Sequence, residues 1–212
     1  MPDLSSRRSY ARGSLAEEDL AADWVTQFTR WYDEATASEL IGEPNAMVVA
    51  TASPAGAPSV RTVLLRGVSA AGFTFFTNYG SRKGRELAAN PQVALVFSWV
   101  PLERQVVVTG TASRVSAEES AAYFHSRPRD SQLASAASAQ SSVVPSRAVL
   151  EAAVADLAER CPAEVPAPAD WGGFLVAPET VEFWQGRPAR LHDRLRFRHE
   201  PSGDWVVERL SP

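Results

Sequence analysis

The feature that most constrains this chain is a series of five β-rich runs packed into 70 residues. They read AMVVATAS (46–53), SVRTVLLRGV (59–68), GFTFFTNY (72–79), QVALVFSWV (92–100) and RQVVVTGTASRV (104–115). Val, Thr and aromatic residues bounded by turn signals suit a half-buried pleated surface. SPAGAP parts the first two runs and SAAG the next two. Short strands with short turns predict an antiparallel meander that curls into a barrel. GFLVAPETVEFWQG, ARLHDRLRFRHE and DWVVERLSP complete the sheet near the C-terminus.

Helices are expected around this barrel. Leu20, Trp24, Phe28, Trp31 and Ala35 recur at helical spacing, with Asp19 as the expected N-cap. SRKGRELAAN (81–90) predicts a short helix capped by Ser81, and SAEESAAYFHSRP opens with the capping pattern Ser116-x-x-Glu119. RDSQLASAASAQSS suits either helix or loop, and SRAVLEAAVADLAER (146–160) predicts an amphipathic helix. CPAEVPAPADWGG is a Pro-rich loop. The expected organisation is a mobile polar arm over residues 1–18 and a single mainly β domain over 19–212.

Composition excludes several classes. Hydrophobic residues make up 45% and charged residues 22%, as in ordinary globular chains. A net charge of -4 argues against nucleic acid held by bulk electrostatics. Cys161 is the sole cysteine, so no intrachain disulfide or thiolate zinc cluster can form. No secretory h-region follows the N-terminal arginines, and no apolar run approaches the roughly 20 residues that span a bilayer. A cytoplasmic protein that engages no membrane is expected. No metal-ligand motif, P-loop, G-x-G-x-x-G or G-x-S-x-G occurs, which disfavours NTPases, Rossmann dehydrogenases and serine hydrolases.

Against that acidic background, four donor clusters suggest small anionic ligands. Arg190, His192, Arg194 and Arg196 alternate, and on a strand would form one cationic row. Arg82 and Lys83 occupy the first turn after Ser81, where a phosphate would offset their unfavourable position. Arg61 and Arg66 bracket an apolar strand and, five apart, point to opposite faces. Tyr123 and Arg127 form an i, i+4 pair, followed by Pro128, Arg129 and Ser131. Each cluster alone suits solvated surface equally well; together they supply enough donors for two phosphates.

RTVLLRG, FFTNYGSRKGREL, LERQVVVTG, YFHSRPRDSQ, QSS, WGGF, VEFWQG, RLHDR and the terminal RLSP resemble, in order, the pyridoxamine 5′-phosphate oxidase family. The likeness runs from about residue 40 to the C-terminus, with weaker similarity in RRSYARGSL. It implies an FMN-binding split β-barrel homodimer with FMN at the interface. Such an enzyme oxidises pyridoxamine 5′-phosphate or pyridoxine 5′-phosphate to pyridoxal 5′-phosphate with dioxygen. By the same resemblance, FMN is held by Arg61, Thr62, Val63, Leu64, Phe76, Thr77, Arg82, Lys83, Gln105, Gln140, Ser141, Trp184 and Arg194, partly from the partner subunit. Substrate falls to Arg66, Tyr123, Arg127 and Ser131 at its phosphate. Arg190 and His192 fall near the reacting carbon as the expected catalytic pair. His192 is there either a proton acceptor or a hydrogen-bond donor. Arg7 and Tyr10 resemble lid residues.

Three departures stand out. Arg66 replaces the family's usual Lys, Ala134-Ser135-Ala136 replaces Gly-Ala-Trp, and Ser98 replaces a proline. They leave open a related flavin oxidase with another substrate, of the phenazine type, and a non-catalytic flavin or pyridoxal phosphate binder.

Overall fold

A computed structural model describes residues 9–212. Nine strands form one antiparallel sheet: β1 (Ala46–Ala52), β2 (Pro58–Leu64), β3 (Gly67–Ser69), β4 (Gly72–Asn78), β5 (Gln92–Trp99), β6 (Arg104–Arg114), β7 (Trp171–Gln185), β8 (Asp193–His199) and β9 (Trp205–Arg209). Five α-helices accompany them: α1 (Trp24–Thr36), α2 (Arg82–Ala89), α3 (Ala117–Ser126), α4 (Arg129–Ala137) and α5 (Arg147–Arg160). The fold is a mainly β split barrel with surrounding helices, as expected.

The strand order is β2-β1-β5-β6-β7-β4-β3, with β8 beside β7 and β9 beside β8. The expected hairpins β1–β2, β3–β4 and β5–β6 form. They are not stacked as a simple meander, because α2 carries the chain from β4 to the far side of β1. Strand β7 then changes partners along its length. Its first residues pair with β4, from Trp171 opposite Asn78 to Val176 opposite Phe73. Its last residues pair with β8, from Thr180 opposite Arg198 to Gln185 opposite Asp193. Strand β6 backs both halves through a bulge at Thr109/Gly110. A Cβ on Gly110 would lie 2.1 Å from the Ala177 carbonyl oxygen, so glycine permits this bend.

Helix α1 closes the main core. Trp24, Phe28, Trp31 and Ala35 are buried on one face. Phe28 meets Phe73 and Phe97 at ring-centroid distances of 5.0 and 4.9 Å, geometry that adds to simple area burial. Its cap is Asp23, which accepts from Thr26 N, and not Asp19. Asp19 ends a separate 3-10 turn (Glu17–Asp19) and accepts from Ala16 N. Ser81 and Ser116 cap α2 and α3 as expected, accepting from Gly84 N and Glu119 N.

Further expectations change. The run 59–68 breaks after Leu64, and Arg66 lies between β2 and β3, its N–H donated to Thr74 O. The cationic row is not one strand face, since β8 begins only at Asp193. Arg190 closes a 3-10 turn (Pro188–Arg190) with φ 63° and His192 follows it. Arg194, Arg196 and Arg198 do share a strand face, but carboxylates interleave them: Glu182 binds Arg194, and Glu208 binds Arg196 and Arg198. Helix α5 buries no residue fully; Val154, Leu157 and Ala158 half-cover a small second core of Phe124, Leu133, Val165 and Trp171.

Residues 11–17 lie along the domain, held at three points. Ala11 N and Arg12 N donate to Glu103, Leu15 N donates to Asp193, and Glu17 pairs with Arg209. The expected arm thus contacts the domain over this stretch. Arg7 lies outside the described residues. Among the described residues no helix is long and apolar enough to cross a membrane.

Candidate active site

A cleft of about 280 Å³ opens where β2, β4, α2 and α3 converge. It gathers Thr62, Val63, Leu64, Phe76, Thr77, Lys83 and Gln140 from the expected flavin set, and Arg66, Tyr123 and Arg127 from the expected substrate set. Ser135 and Trp171 also line it, and sequence reasoning missed both. Ser131 lies in an adjoining cavity of about 250 Å³ that shares Arg127, Ser135, Gln140 and Trp171.

Helix α2 and strand β4 set the cationic end. Glycine at position 84 lets α2 press on the preceding turn, since a Cβ there would lie 2.3 Å from Tyr79 O. Lys83 is thereby buried, donating to Thr77 Oγ1 at 3.0 Å and Gln140 Oε1 at 2.9 Å. Both partners are neutral. Burial, aided by the nearby Arg61 charge, pushes the Lys83 ammonium down to about 8.

Arg61 and Arg82 flank Lys83 but face Glu86. Arg61 donates to Thr51 Oγ1 at 2.6 Å and Ser59 Oγ at 2.5 Å, and lies 3.4 Å from Glu86 Oε2. Arg82 donates to Glu86 Oε1 at 2.8 Å and remains largely exposed. Burial pushes Glu86 up, but hydrogen bonds from Ser59, Thr51 and Arg82 prevail and hold it at about 2. Lys83 is thus the cation at this end of the cleft, with Arg61 and Arg82 outside its lining.

The opposite wall is aromatic. Phe76 stacks on Tyr123 at 3.9 Å and on Trp171 at 5.6 Å. Arg127 lies over Trp171 at 4.9 Å, an attractive cation–π placement. Its Nη2 donates to Ser131 O at 3.0 Å and Ser135 Oγ at 2.9 Å. Its Nη1 is buried with no partner, the sole such side-chain atom among the described residues. Burial lowers the Arg127 pKa from its ordinary value, and the like charge of Arg66 adds to this. Arg66 itself sits 5.9 Å from the Tyr123 ring centroid.

The remaining expected residues gather elsewhere, at the far end of β7. Gln105 pairs in register with Trp184. The Trp184 ring lies 4.7 Å from His192, and Tyr10 meets both at 5.8 Å. Arg187 N donates to His192 Nδ1 at 3.0 Å, so a neutral His192 carries its hydrogen on Nε2. Arg190 is exposed with no carboxylate partner among the described residues. Arg194 binds Glu182 through two bonds of 2.8 and 3.0 Å and donates to Ser211 O. Those bonds raise its pKa. Ser141, at φ 72°, is exposed beside Gln140 and outside the cleft lining.

Comparison with known proteins bears on the family and the fold. Residues 33–161 match the model of a family described as pyridoxamine 5′-phosphate oxidase, and residues 171–212 match a pyridoxine 5′-phosphate oxidase C-terminal dimerisation region. A pyridoxine/pyridoxamine 5′-phosphate oxidase of Salinispora arenicola (strain CNS-205) is 56% identical, covering 100% of this chain and 97% of that protein. One of Cupriavidus necator is 54% identical, covering 97% of each. The crystal structure of PhzG from Burkholderia lata 383, in complex with tetrahydrophenazine-1-carboxylic acid, superposes with TM-score 0.86 at 29% identity, covering 92% of this chain and 95% of that one. A pyridoxamine 5′-phosphate oxidase-related, FMN binding protein of Nostoc punctiforme PCC 73102 shares the fold, with TM-score 0.72 at 14% identity, over 91% of this chain and 100% of its own. Fold and cleft together define the class as split-barrel flavin-binding proteins. Within that class, the chain belongs to the pyridoxamine 5′-phosphate oxidase family.

Proposed function

We propose that this chain is an FMN-dependent oxidase converting pyridoxamine 5′-phosphate and pyridoxine 5′-phosphate to pyridoxal 5′-phosphate, with dioxygen as acceptor. The buried, unpartnered Nη1 of Arg127 carries the reading. An unmet charged donor is expensive to keep, and a phosphate oxygen is the acceptor it lacks. Tyr123 and Arg66 line the same cleft as Arg127, and Ser131 lines the adjoining cavity that Arg127 shares.

The residues present also fit a phosphorylated flavin. Lys83 is a buried cation satisfied only by neutral oxygens, and it stands beside the β2 segment Thr62–Leu64 and the Phe76 ring. On this reading Lys83 meets the FMN phosphate, with Arg61 and Arg82 adding positive potential. Thr77, Gln140 and Ser141 belong to the same side. When bound, FMN supplies the two-electron acceptor that dioxygen regenerates.

The chain's own groups provide position and charge. Arg127 and Arg66 hold the substrate phosphate away from the reacting carbon and so orient it. Arg190 stabilises charge and orients the reacting group through its guanidinium donors. His192 donates from Nε2, because Nδ1 is engaged by Arg187 N. Gln105, Trp184 and Arg194 complete the flavin's surroundings.

This reading requires two subunits. Trp171 lines the cleft and Trp184 lies beside His192, yet they stand thirteen positions apart on β7, up to roughly 43 Å of extended strand. A two-fold homodimer brings the cleft of one copy to the Trp184–His192 group of the other. A cytoplasmic location belongs to the same reading, since the doubly charged substrates do not cross bilayers unaided.

Purified protein is expected to be yellow, to consume oxygen with pyridoxamine 5′-phosphate, and to release the aldehyde. A colourless protein without affinity for FMN would refute the flavin assignment. Bound flavin without oxygen uptake would leave a binder. Turnover of a tricyclic carboxylate alone would favour the phenazine-type reading that the 0.86 superposition supports.

A further inference from the structure

We propose that Glu103 is a positioning residue that seats Tyr10 over His192; the inference rests on the assignment of Tyr10 and His192 to the substrate. Glu103 follows the 3-10 turn Val100–Leu102 and adopts φ 57°, ψ 37°, a left-handed conformation unfavourable for a residue with a long side chain. It is 3% exposed. A carboxylate so placed needs donors, and it finds them in the N-terminal segment. Ala11 N and Arg12 N donate to the same Oε2, at 2.8 and 2.9 Å. Charge-assisted bonds of this kind are the stronger class.

The backbone of Glu103 reaches the other side of the contact. Its carbonyl accepts from Gly186 N at 2.7 Å and from Gln185 Nε2 at 3.1 Å. Gly186 forms the floor beneath Tyr10, where a Cβ would lie 2.8 Å from the tyrosine Cγ. The peptide that follows Tyr10 and the surface under its ring therefore depend on one residue. Asp193 also holds the segment, through Leu15 N, but five residues beyond Tyr10. Among the described residues, only Glu103 accepts from the two peptides that follow Tyr10.

Glu103→Asn separates positioning from mere backbone support. Asparagine tolerates the left-handed conformation but is one methylene shorter, so the strain is relieved while the reach to Ala11 and Arg12 is lost. In the FMN-loaded enzyme, kcat/KM for pyridoxamine 5′-phosphate is expected to fall about tenfold, with flavin content and melting temperature retained. In a Tyr10→Ala background the same substitution should produce no further loss. Tryptic cleavage after the exposed Arg12 should accelerate. Glu103→Gln, which keeps length and loses charge, should fall between wild type and Glu103→Asn and serves if the latter misfolds. Full additivity with Tyr10→Ala, or unchanged cleavage after Arg12, would overturn the proposal. Absence of turnover in the wild type would instead reject the oxidase reading, and the cleavage rate would still decide whether Glu103 anchors the segment.

Discussion

Lys83 Nζ donates to Gln140 Oε1 at 2.9 Å, joining residues 57 positions apart. The bond ties the first turn of α2 to the loop beyond α4, and it places a buried cation beside a polar but neutral group. This is the local arrangement that a phosphate would complete.

Affinity for FMN should depend on the Lys83 proton. The ammonium falls from its ordinary 10.5 to about 8 in the unliganded chain, chiefly through burial. A bound phosphate favours the charged form, so affinity is greatest below pH 8 and weakens as pH rises toward 10. Lys83→Met should bind FMN roughly 10- to 100-fold more weakly near neutrality and lose that pH dependence. Fluorescence titration of the apoprotein with FMN between pH 7 and 10 measures both.

Removing the Arg127 guanidinium should act on substrate and spare flavin. Arg127→Ala is expected to lower kcat/KM for pyridoxamine 5′-phosphate about a hundredfold, with FMN content unchanged. Arg127→Lys should recover only part of the loss, since a point charge cannot serve Ser131 O, Ser135 Oγ and a phosphate together. Steady-state kinetics with flavin absorbance separate the two effects.

Strand β7 offers a test of the aromatic wall. A Cβ on Gly173 would lie 2.7 Å from Val115 Cγ2 and 2.9 Å from Phe76 Cε1. Gly173→Ala should therefore displace Phe76 from Tyr123, destabilise the fold by about 1–3 kcal/mol, and weaken FMN binding. Thermal unfolding and flavin titration would show both changes together.

Much of this architecture is legible in the sequence because it is local. Strand runs and the Ser81 and Ser116 caps each depend on neighbours within a few residues, whereas Arg127 lies just past α3 and not on its face with Tyr123. Long-range pairings are not: nothing in QVALVFSWV names β1 as its neighbour, and the crossover by α2 decides it. The cationic row failed for a related reason. Its partners Glu182 and Glu208 arrive from adjacent strands, and its first two members lie outside β8. Trp171 was missed as a cleft residue because it joins Phe76 only through the β4–β7 register. The WGGF glycines were its one signal, marking where neighbouring side chains approach the backbone. Ser135 was read only as part of the Ala134-Ser135-Ala136 departure, whereas its hydroxyl accepts from Arg127.

Subunit complementation tests the two-chain site most directly. Lys83→Ala disables the cleft and His192→Ala disables the group beyond Trp184, so each homodimer should be nearly inactive. In a heterodimer, one site receives both lesions and the other receives neither. Random equimolar reassembly makes half the dimers mixed, each with one intact site, so about a quarter of wild-type activity should return. Activity no greater than that of the parent variants would show that Lys83 and His192 do not meet across subunits.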